Sequence, residues 1–159
     1  MSDQQTSQQQ QQQQSFNDDD IEYNCNNNNN ESKPYLIQVS TALPSLQNIN
    51  TFLTTPNCGA ISLFMGTTRD NFQNKPVLRL SYEGYAPMAI KELCKLADEA
   101  REKYPSVEKV VAVHLLGDCP VGETSVIVGC ASHHRRDGIR CTEFLIDELK
   151  ARVPIWKKE

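Results

Sequence analysis

Cationic side chains collect in two short stretches near the end of the chain. One is Ser132-His133-His134-Arg135-Arg136-Asp137-Gly138, and the other is Lys150-Ala151-Arg152-Val153-Pro154-Ile155-Trp156-Lys157-Lys158-Glu159. The first follows the apolar run Val126-Ile127-Val128-Gly129-Cys130-Ala131 and precedes a helical pattern, which puts His134 and Arg135 at a strand-to-helix turn. Backbone N–H groups and the positive end of the helix dipole point outward at such a turn. A guanidinium there grips a phosphate or carboxylate through two parallel hydrogen bonds. Anion binding is the chemistry these residue types suit. Lys150, Lys157 and Lys158 add amines, and an amine crowded by other cations can lose its proton and act as acid, base or nucleophile, whereas arginine stays charged. A further cation, Arg69, stands directly after the apolar run Gly59-Ala60-Ile61-Ser62-Leu63-Phe64-Met65-Gly66, where a loop guanidinium can face a cleft.

Each of these residues also has a plainer reading. Arg69 suits a solvated loop. Lys150 lies three residues from Asp147 and suits an exposed helical ion pair worth only about 0.2–0.5 kcal/mol. Trp156 suits packing or an interface, and Lys157-Lys158 a frayed basic end. His133 and His134 have no acidic or cysteine partner at ligand spacing, so no metal is expected. Composition and periodicity lead to a near-neutral α+β domain with an anion pocket, and leave open which of these cations line it.

The elements that must position the candidates begin at Pro34. A strand is expected over residues 35–39, a short helix over 45–53 and a mostly apolar strand over 59–66, followed by a polar loop over 67–76. Residues 77–82 alternate as a half-buried strand does, and are expected to pair with the strand before them. Pro87 suits a first helical position, and Ile90, Leu93, Ala97, Ala100 and Tyr104 recur at helical intervals, so a helix runs to Tyr104 and stops at Pro105. Residues 107–116 and 124–131 read as strands. The turn 117–123 between them is too short for a parallel crossover, so the two pair antiparallel. A last helix is expected over 138–153, with Cys141, Phe144, Leu145 and Leu149 as its apolar stripe and Glu143, Asp147 and Lys150 on the other side. The fold class is α+β, with helices against one sheet.

At 159 residues the chain suits one domain, with residues 1–33 set apart by composition. Residues 8–14 are all glutamine, 26–30 all asparagine, and Asp18-Asp19-Asp20 lies between them. Such a segment buries too little apolar area to offset its ordering entropy and is expected to be disordered. Asp3, Asp18, Asp19, Asp20, Glu22 and Glu31 against Lys33 give it a charge of −5; the whole chain is −4, so residues 34–159 carry +1. That near neutrality argues against a broad nucleic-acid or anionic-membrane surface. No apolar stretch reaches the ~20 residues that span a bilayer, and no basic-then-apolar leader opens the chain, so a cytosolic location is expected. The six cysteines, Cys25, Cys58, Cys94, Cys119, Cys130 and Cys141, form no C-x-x-C pair and read mostly as small buried hydrophobes.

From about Tyr35 onward the chain resembles the large, catalytic subunit of molybdopterin synthase. The matching pieces, in order, are Phe64-Met65-Gly66-Thr67-Thr68-Arg69, Leu80-Ser81-Tyr82-Glu83-Gly84-Tyr85-Ala86-Pro87-Met88, Ser132-His133-His134-Arg135, and Leu149 through Glu159. The resemblance implies an α/β-hammerhead-like fold with a mixed, largely antiparallel sheet and packed helices. It implies a homodimer that binds two small ubiquitin-like subunits, making a heterotetramer. The small subunit's C-terminal thiocarboxylate enters the large subunit's pocket, and sulfur passes twice to cyclic pyranopterin monophosphate to form the dithiolene of molybdopterin. Neither a cofactor nor a cysteine of this chain is implied. By motif, His134, Arg135, Lys150, Lys157, Lys158 and Glu159 contact the substrate, while Arg69 holds the partner's terminus or an anionic group. Lys150 is assigned to the chemical step and Lys157 to orienting the substrate. A different class of function, a non-catalytic module binding a phosphate-bearing ligand or an anionic peptide end, would use the same residues.

Overall fold

The computed structural model describes residues 33–158. The tail expected over 1–33 lies outside the described residues except for Lys33, whose ammonium sits 2.7 Å from the Asp98 carboxylate. Glu159 also lies outside them.

In chain order the elements are β1 (Tyr35–Ser40), α1 (Leu46–Leu53), β2 (Ala60–Thr67), β3 (Asn71–Phe72), β4 (Lys75–Pro76), β5 (Arg79–Gly84), α2 (Ala86–Lys103), β6 (Val107–Leu115), β7 (Gly117–Pro120), β8 (Thr124–Ser132), α3 (Arg135–Arg152) and β9 (Ile155–Lys158). Local chemistry accounts for most of the boundaries. Ser45 caps α1 by accepting from the Asn48 N–H at 3.1 Å. Pro87 occupies the first turn of α2, where its missing N–H costs nothing. Pro154 disfavours helical geometry at Val153 and lacks a donor, so α3 ends at Arg152. Gln73 and Asn74, both at positive φ, form the two-residue turn that joins β3 to β4.

The main sheet has the order β1-β6-β8-β2. β1 runs parallel to β6, while β6 pairs antiparallel with β8 and β8 with β2. Side chains alternate across β6. Val110 and Ala112 meet α2 and α3 through Leu93, Ala97, Leu145 and Leu149, whereas Val111 and Val113 meet α1 through Ile49 and Leu53. Each of these large aliphatic side chains contributes about 1.5–3 kcal/mol on burial. Gly138 lets α3 lie close to β8, because a Cβ there would come 2.6 Å from the Ser132 hydroxyl.

Three expectations need correction. β5 does not pair with β2; it forms the centre of a separate three-stranded sheet, β7-β5-β9. Its alternation identified a half-buried strand, but alternation says nothing about which strand lies beside it. Part of the expected turn, Gly117–Pro120, is β7, and Lys157-Lys158, for which a frayed end was the plainer reading, belong to β9. The helices therefore serve a divided sheet. Among the described residues, no helix is long and apolar enough to cross a membrane.

Candidate functional site

α3 delivers Lys150 to the edge of a cavity of about 390 Å³ at the end of the main sheet. The cavity lies where the helix-side face of that sheet meets the smaller sheet. Val126 of β8 and Phe64 and Gly66 of β2 form one wall, Ile146, Leu149 and Val153 another, and Leu80, Tyr82 and Ile155 a third. Arg69, Lys150 and Lys157 line it, and among the described residues no carboxylate does. Among the described residues, none of the three makes an ion pair, so the Asp147 partner expected for Lys150 does not materialise. Three unpaired cations beside apolar walls favour an anionic occupant, because the walls lower the local dielectric and strengthen the attraction. Phe72 lies 5.5 Å below the Lys157 ammonium, a cation–π contact that steadies it at the rim.

The C-terminal strand decides which lysine faces inward. In β9, Ile155 and Lys157 line the cavity while Trp156 and Lys158 alternate away from it. Lys158 instead pairs with Glu83 at 2.8 Å on the other face. The structure thus brings Arg69, Lys150 and Lys157 together and leaves Lys158 out. Gly84 permits the close approach of β9: a Cβ there would stand 2.9 Å from the Pro154 carbonyl oxygen.

His134 and Arg135 lie elsewhere. With Gly59, His133 and Arg136 they line a separate depression at the N-terminal end of α3. Arg135 opens that helix and Lys150 lies in its last turn, which at roughly 1.5 Å per residue puts them about 22 Å apart along the axis. Within one chain they do not touch one small ligand.

His133, which has no acidic or cysteine partner at ligand spacing in the sequence, acquires both through the fold. Its Nε2 lies 2.6 Å from the Glu108 carboxylate, and the Cys58 thiol joins them, with the three donor atoms within 4.8 Å of one another. Glu108 also accepts from the Asn57 amide at 2.5 Å, through the same carboxylate oxygen that faces His133. The bond from His133 holds the Glu108 carboxyl below the usual carboxylate range.

Sequence reasoning missed the ring pair of the cavity. Tyr82 and His114 meet edge to face, with ring centroids 4.9 Å apart. The signal for His114 was present: it is the lone polar side chain in Val110-Val111-Ala112-Val113-His114-Leu115, a run otherwise apolar.

Fold and cavity together define an α+β domain with a cation-lined cavity, whose cations come from a loop, a helix end and a C-terminal strand. The MoaE protein family matches residues 39–152, and the chain belongs to that family. The chain is 51% identical over 108 residues to the molybdopterin synthase catalytic subunit of Arabidopsis thaliana, covering 68% of this chain and 54% of that protein. It is 44% identical over 129 residues to the Bos taurus catalytic subunit, covering 81% and 68%. With the Drosophila willistoni protein the identity is 44% over 123 residues, 77% of this chain but 33% of the relative, so the chain spans about a third of that protein's length. A crystal structure of molybdopterin synthase from Staphylococcus aureus superposes with a TM-score of 0.72 at 32% identity, covering 81% of this chain and 92% of that one.

Proposed function

We propose that this chain is the catalytic subunit of a molybdopterin synthase. It transfers sulfur from the thiocarboxylated C-terminus of a small ubiquitin-like subunit to cyclic pyranopterin monophosphate. The observation that carries this reading is the cavity lined by Arg69, Lys150 and Lys157, with no carboxylate among the described residues, in a chain of the MoaE family. A cyclic phosphate and a thiocarboxylate are both anionic, and bringing them together needs fixed positive charge in a partly dry site. Lys150 takes part in the chemical step, Lys157 orients the substrate, and Arg69 holds the small subunit's terminus.

The distance from Arg135 to Lys150 bears on assembly. If His134 and Arg135 contact the same substrate, they do so from a second copy of the chain. The edge strand β2 supports such a pairing, since Ile61, Leu63, Phe64 and Met65 are all exposed on it. One small subunit on each copy then gives a heterotetramer.

Incubating the protein with the pterin substrate and a thiocarboxylated small subunit tests the reading. A sulfur-containing pterin is expected. Reversible binding without sulfur transfer would instead support a non-catalytic module for a phosphate-bearing ligand.

A further inference from the structure

His114 is 5% exposed, near the end of β6, and lines the cavity. Its cross-strand neighbours, Val39 and Val126, are apolar. Nδ1 lies 2.7 Å from the Leu115 carbonyl oxygen, which can only accept, so Nδ1 carries the proton and the neutral ring leaves Nε2 as a bare acceptor. Nε2 has no hydrogen-bond partner among the described residues, yet none of their fully buried side-chain nitrogens or oxygens is unpartnered. Nε2 therefore retains access to open space, which for so buried a residue is the cavity. The edge-to-face contact with Tyr82 holds the ring in place. Burial also pushes the imidazole below its ordinary pKa, keeping it neutral. Among the described residues, the charged groups facing the cavity, Arg69, Lys150 and Lys157, are cations, and Tyr82 is the other titratable group of the lining.

We propose that His114 is a catalytic proton acceptor of this cavity, a role that rests on the sulfur-transfer reading above. When the thiocarboxylate sulfur bonds to the pterin, the small subunit's terminal carbonyl carbon remains attached through that sulfur. Release requires water. The water oxygen bonds to the carbonyl carbon, and the C–S bond breaks with its electron pair left on sulfur, as a thiolate facing the lysine charges. The small subunit departs as a carboxylate. Two protons are lost from the water: Nε2 of His114 takes one and passes it to solvent, and the other leaves as the new carboxyl group ionises. A bare imidazole nitrogen beside these side chains is suited to this step, because it accepts a proton without first having to lose one.

The test is the rate at which carboxylate-ended small subunit appears, followed by mass spectrometry, for the wild type and for His114→Gln, which keeps an acceptor but cannot take a proton. Expected are unchanged small-subunit binding, a KM within about threefold, and a kcat lowered on the order of a hundredfold. The wild-type kcat should fall in acid, below the ordinary histidine pKa of about 6.5, as Nε2 becomes protonated, and the variant should lose that limb. A variant with wild-type kcat and an intact acid limb would overturn the proposal. Absence of sulfur transfer by the wild type would instead overturn the function on which the proposal rests. Should His114→Gln fail to fold, ¹⁵N NMR of the wild-type ring decides: Nδ1–H at neutral pH is expected, and Nε2–H would refute the role.

Discussion

Arg135 and Lys150 stand at opposite ends of α3, about 22 Å apart, with side chains in different depressions of the surface. If both serve one reaction, each active site is built from two copies. Arg135→Ala and Lys150→Ala should then complement. Each alone should lose activity on the order of tenfold or more, while co-refolded mixtures should recover about a quarter of wild-type activity, because half the dimers carry one intact site. Mixtures no more active than the separate variants would exclude a shared site.

Lys150 has no ion-pair partner among the described residues, so Lys150→Ala should change stability by well under ~1 kcal/mol. Turnover is expected to fall on the order of a hundredfold, corresponding to roughly 2.7 kcal/mol of lost transition-state stabilisation. Lys150→Arg keeps the charge without an amine that can deprotonate. Full activity in that variant would mean that charge alone is required.

Lys157 and Lys158 are adjacent in sequence and face opposite ways. Lys157→Ala should raise KM for the pterin by on the order of tenfold with a smaller effect on kcat, and Arg69→Ala should weaken capture of the small subunit's terminus. Lys158→Ala removes an exposed pair with Glu83, worth at most about 1 kcal/mol, and should leave steady-state kinetics near wild type. Equal losses at both lysines would contradict the strand's alternation.

Arg152 fastens the end of α3 to α2, bonding Glu92 at 3.0 Å and Glu99 at 2.5 Å, with Glu148 at 3.4 Å. Its hydrogen bond holds the Glu99 carboxyl below the usual range. A depressed carboxylate stabilises the fold above its unfolded pKa, and that contribution is lost as pH falls through the folded value. Wild-type Tm should therefore decline below about pH 4, and Arg152→Ala should lower Tm at neutral pH while flattening this decline. Calorimetry between acid and neutral pH measures both.

The helices and the β6–β8 hairpin were legible because their signals are local. Ile90, Leu93, Ala97 and Ala100 repeat at helical spacing, and the link from residue 117 to 123 leaves no room for a crossover. The partners of β5 were not legible, since pairing with β7 and β9 joins segments distant in the chain. The separation of Arg135 from Lys150 could have been read from the helix expected between them. The cluster of Cys58, Glu108 and His133 could not, because three remote segments supply it.

β9 approaches β5 in a fixed register, with Lys157 opposite Tyr82 and Ile155 opposite Gly84. Between the stop of α3 at Pro154 and the cavity, the chain acts as a ruler whose unit is one residue. Adding or deleting a single residue there would reverse the parity of the strand and turn Trp156 or Lys158 inward in place of Lys157. A substitution along this segment alters one side chain, but a change of length by one residue would rewrite the site at a stroke.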